Sequence, residues 1–202
     1  MFAQFRVFPI TGFTNGKPTI SSPIPFLANS GSESEINNIS VALSPEVVTK
    51  TYKADNKEER DVVKKGYNGT VNFYGIDKTA LAAISNNIAD VNGNTILESS
   101  NNGNPKVVIF YQGKDEKGKK YNMWLYNCEF DEVPFDANQD DGDPKAAALN
   151  FFASAVIYNG HTIFGARVYE NQTGYIAEGT EPTAAGLYMP QYTSTGGGSQ
   201  ES

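Results

Sequence analysis

The chain has 202 residues, a formal net charge of −7, 39% hydrophobic residues, 12 Phe and 11 Tyr. That length fits one domain with room for arms and is enough to bury a proper core. The acidic balance excludes a protein that grips nucleic acid by its phosphates, and the single cysteine, Cys128, excludes an internal disulfide framework.

The N-terminus, MFAQFRVFPI, has no basic region followed by a continuous apolar run and a small-residue cleavage site. No apolar run approaches membrane-spanning length, so a soluble intracellular product is expected. Residues 1–35 read as an irregular N-terminal arm: GFTNGKPTISSPIPF is rich in Gly and Pro, and NSGSESE follows as a polar turn. Its scattered Phe and Ile imply an arm that needs something to lie against.

Residues 36–170 read as a β-rich core. INNISVAL and EVVTKTY are two strands broken at Ser44-Pro45, and alternation puts Ile39, Val41 and Leu43 on one face. Residues 53–66, KADNKEERDVVKKG, form a loop dense in both signs of charge. Charge runs are usually solvated, yet Val62 and Val63 at its centre fit poorly with permanent exposure. The strand Thr70 to Tyr74 then gives way to a short helix over about residues 77–86. Asp77 is its N-cap candidate, and Ala80, Leu81 and Ile84 form an apolar stripe at helical spacing. So short a helix must dock on a sheet.

KVVIFYQ and YNMWLYNCEF flank GKDEKGKK, which predicts a hairpin. Both strands are largely apolar on both faces and so belong between two layers, or between a core and another subunit. Simple alternation groups Tyr121, Met123 and Leu125 on one side and Trp124, Tyr126, Cys128 and Phe130 on the other. After an acidic loop, a second hairpin joins LNFFASAVIYN to TIFGARVYE through Gly160-His161. Residues 171–202 lose all periodicity and read as a C-terminal arm ending in a flexible tail, with Tyr188, Met189 and Tyr192 as a small sticky segment. The fold class expected is mainly β, a β-sandwich with one short flanking helix and irregular terminal arms.

No catalytic constellation emerges. His161 is the only histidine and falls in a predicted turn, and no phosphate-cradling or dinucleotide motif is present. DANQDDGDPKAA has calcium-loop spacing at Asp136, Asn138 and Asp140. Its glycine comes one place late, at Gly142, and Ala147 stands where a bidentate Glu is needed. The Asn-x-Ser/Thr triplets at Asn38, Asn68 and Asn171 carry no weight without secretion. Trp124, Tyr126 and Phe130 could stack on bases or sugars, but core packing fits a doubly apolar strand better. No catalytic residue, metal or cofactor is expected, which points to a binding or structural role.

Two stretches carry a resemblance: TYKADNKEERDVVKKGYNGTVNFYGIDKTALAAI, then the hairpin VVIFYQGKDEKGKKYNMWLYNCEF. In order and in local phrases they resemble the major tail proteins, or tail tube proteins, of long-tailed bacteriophages, most closely the phi13-like group. The resemblance covers roughly residues 36–170. It implies a β-sandwich with a helix at its side, in six-membered rings stacked into a hollow tube around a tape-measure protein. A tail terminator and a baseplate or hub would close the ends, and DNA would pass as transient, non-specific cargo. The place would be the virion tail, with the host cytoplasm during assembly and no membrane partner. The inter-ring self-assembly loop would then comprise Asp55, Asn56, Lys57, Glu58, Glu59, Arg60, Asp61, Val62, Val63, Lys64 and Lys65. The face of Asp77, Ala80, Leu81 and Ile84 would seal the flank of the core. A monomeric carbohydrate-binding β-module and another ring-forming protein of a tail or secretion tube are the competing readings.

Overall fold

The structure is a computed structural model, and it describes residues 4–24, 40–54, 57–74, 78–85, 88–89, 96–97, 104–131 and 146–192. In chain order the elements are β1 (Phe5–Thr14), β2 (Lys17–Ile20), β3 (Ser40–Ala54), β4 (Lys57–Tyr74) and α1 (Lys78–Ile84). Two short strands follow, β5 (Ile88–Ala89) and β6 (Ile96–Leu97), and then β7 (Val107–Lys114) and β8 (Lys120–Phe130). The last strands are β9 (Ala146–Ser154), β10 (Val156–Tyr158), β11 (His161–Ile163) and β12 (Gly165–Tyr169). The fold is mainly β, as expected, with one short α-helix among the described residues.

An eight-stranded antiparallel sheet runs β2-β1-β7-β8-β9-β4-β3, with β12 also paired to β8. Its two faces carry separate apolar clusters. On one face Phe5, Val7, Val71, Ile109, Leu125, Leu149 and Phe151 pack with Ala80 and Ile84 of α1. On the other, Phe8, Val108, Phe110, Trp124 and Tyr126 pack with Val156 and Leu187. The double burial expected of β7 and β8 is therefore real.

The grouping of residues on β8 differs from simple alternation. β7 and β8 pair in step as far as Ile109↔Leu125, but the next rung is Val107↔Cys128. Across that interval β8 advances one residue more than β7, a bulge that reverses which face later side chains occupy. Cys128 and Phe130 therefore join Met123 and Leu125, while Trp124 and Tyr126 stay on the opposite face.

The terminal segments are more ordered than their composition suggests. β1 lies inside the sheet, paired to β7 from Phe5↔Tyr111 to Pro9↔Val107. Pro9 is tolerated because the adjacent amide, Ile10, makes the bond to Lys106 on the β7 side, and β2 has ended at Ile20. Residues 171–192, expected as part of a flexible tail, form a strap across the second face. Gln112 Nε2 and Asn122 Nδ2 both donate to the Ile176 carbonyl, at 2.9 and 3.1 Å. Tyr126 Oη donates to the Tyr188 carbonyl at 2.8 Å, and Leu187 is buried beside it. The buried Arg6 guanidinium donates through Nε to Glu181 at 3.0 Å, and Lys120 pairs with Glu178. Residues 193–202 lie outside the described residues.

The second hairpin also differs in its turn. The reversal is Asn159-Gly160, both with positive φ, as a two-residue hairpin turn requires, and His161 begins β11 opposite Tyr158. Its long strands do not pair with each other: β9 continues to β4 and the end of β8, and β12 takes the start of β8.

Candidate assembly arm

The charged segment expected as a loop is a β-arm. β3 runs unbroken through Pro45, where a break was expected, and pairs with β4 from Ser40↔Asn72 to Ala54↔Lys57. β3 is the last strand in the path, and an edge strand tolerates proline. β9 leaves β4 at Gly66↔Ser154. Beyond that rung, among the described residues, 47–65 pair only with one another as a two-stranded ribbon.

Asp55 and Asn56, at the tip, lie outside the described residues. The backbones of Lys57, Glu58 and Glu59 pair with Ala54, Lys53 and Tyr52. Arg60, Asp61, Val62 and Val63 follow opposite Thr51, Lys50, Thr49 and Val48. Paired residues share a face, so Val63 with Val48 and Val62 with Thr49 lie on opposite sides of the ribbon. Val47, Val62 and Val63 are 49%, 58% and 47% exposed. These valines are only half covered by the described residues, in a ribbon that is otherwise polar and charged for most of its length. Lys50 and Asp61 are opposed across the ribbon, and Arg60 and Lys65 are exposed, charges of the kind that guard an open strand edge.

The root of the arm is built differently from its shaft. Glu46 pairs with Gly66 and Val47 with Lys64, which leaves Lys65 as the extra residue of a bulge. Gly66 is wedged against β9: a Cβ there would lie 2.4 Å from the Phe152 ring and 2.6 Å from the Ala153 carbonyl oxygen. Lys64 folds back toward the body. Its Nζ sits 3.5 Å from the centroid of the Tyr67 ring and 5.4 Å from that of Phe164, and it also donates to the Tyr67 hydroxyl. Tyr67 and Phe164 meet edge to face at 5.8 Å.

Of the helix residues, Ala80 and Ile84 are fully buried in the core and Leu81 lies within α1. Asp77 lies outside the described residues, as does the acidic loop carrying Asp136, Asn138, Asp140 and Gly142. Trp124 is fully buried against Phe110, at 4.6 Å between ring centroids, and Phe8, so it offers no platform to a base or sugar. Tyr126 is buried beside it. Among the described residues no group of three His, Cys, Asp or Glu side chains could hold a metal ion, and no helix is long and apolar enough to cross a membrane. Burial pushes the Cys128 thiol well above its ordinary range, which leaves it inert as a nucleophile.

No family model matches the chain, and no curated protein matches it. Among solved structures it is similar to a crystal structure of Hcp protein, at 12% identity and a TM-score of 0.34. The match covers 84% of this chain and 99% of that one. A TM-score of 0.34 is too low for that likeness to carry weight.

Proposed function

We propose that this chain is a non-catalytic structural subunit that assembles with copies of itself into stacked rings, forming the hollow tail tube of a long-tailed bacteriophage. The observation that carries the reading is the arm. A ribbon with open backbone edges and three exposed valines is incomplete within one subunit, and a second copy is the partner that completes it. Covering each half-exposed valine is worth roughly 1 kcal/mol, a small gain per copy that repetition around a ring multiplies. A heterologous contact that does not close on itself extends without limit, as a tube requires.

The hexameric count, the tape-measure protein, the terminator and baseplate or hub, and the DNA cargo come from the resemblance of residues 36–170 to major tail proteins. The net charge of −7 suits a conduit, because carboxylates facing a lumen repel phosphates.

Excision of the arm tests the reading. Replacing residues 48–63 by a short Gly-containing turn removes paired strand from both sides of the ribbon and leaves Gly66–Tyr74 on β9. The expected product is a folded, soluble subunit that stays monomeric in sedimentation at concentrations where the intact chain assembles. An excised chain that assembles as well as the intact one contradicts the proposal.

A further inference from the structure

The arm is useful for contact between copies only if it leaves the body at a defined angle. A ribbon that departs from a sheet through a bulge has lost its lateral hydrogen bonds at that point, and here the bulged residue is Lys65, next to Gly66. Such a root would be a free hinge unless something ties the shaft to the body. On the β9 side Gly66 fits only because it has no side chain. On the shaft side the tie is Lys64, the last regularly paired residue before the bulge.

We infer that Lys64 is the positioning residue of the arm, a cationic pin that fixes the arm's direction by seating its ammonium in the corner formed by the Tyr67 and Phe164 rings. Three observations meet at this side chain. It belongs to the shaft, being paired with Val47. Its charge faces two rings, and the edge-to-face contact between those rings fixes the cage. Phe164 comes from the junction of β11 and β12, so the pin joins the arm to a strand pair distant in sequence. A cation over two rings is directional, since the attraction falls away once the ammonium leaves the ring faces, and partial burial strengthens it. Other charged arm residues, such as Arg60 and Lys65, are exposed and have no such cage among the described residues.

The inference deepens the reading of the arm as the contact between copies, because an arm held at one angle meets its neighbour in one register. The residue can be tested without assembly. Spin labels at Thr51→Cys on the arm and Lys117→Cys in the β7–β8 turn report the arm-to-body distance by pulsed electron resonance, with labelled chain diluted in unlabelled chain. Cys128 is buried and stays unlabelled.

With Lys64 in place the distance distribution should be narrow and single. Lys64→Met keeps the apolar stem but removes the charge, and should at least double the width. Lys64→Arg keeps a cation and should restore the narrow distribution, which a role in packing bulk alone would not predict. Phe164→Leu leaves the arm's own sequence intact and should broaden the distribution as Lys64→Met does, which decides the matter if Lys64→Met fails to fold. Unchanged widths in folded Lys64→Met and Phe164→Leu would overturn the inference even if the chain assembles. Broadening would uphold the pin even if the intact chain never assembles, an outcome that would sink the proposed function alone.

Discussion

Cys128, Tyr111 and Tyr126 show what burial on two faces does to single residues. Each holds its proton above its ordinary value, and desolvation is the largest cause in all three. In the unfolded chain the thiol ionises near 9.0 and the phenols near 10.0. Above those values the unfolded state binds fewer protons than the folded state, so stability falls as pH rises. The contribution is complete below about pH 9 and is lost progressively above it, first through the thiol and then through the phenols. Urea midpoints measured across this range should drop beyond about pH 9. In Cys128→Ala the drop between about pH 9 and 10 should be smaller, because the thiol no longer contributes. A midpoint that rises across the same range would contradict this account. Trp124 and Tyr126 were legible as core residues from the apolar run around them. The face of Cys128 was not, because a one-residue bulge leaves no mark in hydrophobic alternation.

Elements with a regular period were the readable ones. The β7–β8 hairpin announced itself through its apolar strands and polar turn, where the Asp115 carboxylate accepts from the Lys117 and Lys119 amides. The strap over residues 171–192 was illegible because it has no period. Its order comes from side chains of other strands that reach its carbonyls, namely Gln112, Asn122 and Tyr126. If the strap covers the second core cluster, Leu187→Ala should cost about 2 to 5 kcal/mol in chemical denaturation. Tyr126→Phe, which removes the donor to Tyr188, should cost about 1 kcal/mol. A change below about 0.5 kcal/mol for Leu187→Ala would mean that the strap does not pack in solution. The arm was half legible: EVVTKTY read as a strand, but its partner lay in residues 53–66, whose dense charge lacked the alternation that marks a half-buried strand and read as a loop.

At the scale of the molecule, the described residues form a well-filled sheet, with large apolar side chains left exposed on the arm and, singly, at Phe13 and Ile157. Helix α1 closes one face and the strap closes the other, so most large apolar side chains are satisfied. The exposed valines gather on the arm, and the fold gives that arm a shaped root rather than a slack one. The sequence signalled the importance of the segment through Val62 and Val63 amid charge. What it did not convey was the pairing of 47–54 with 57–64, because the charge-dense second strand carries no apolar alternation to set a register. The central claim is that copies of this chain extend end on end into a hollow tube. Negative-stain electron microscopy of the concentrated, purified chain tests it most directly. The account predicts long hollow tubes with a regular axial repeat, absent from the arm-excised chain. Isolated subunits at every concentration would contradict it.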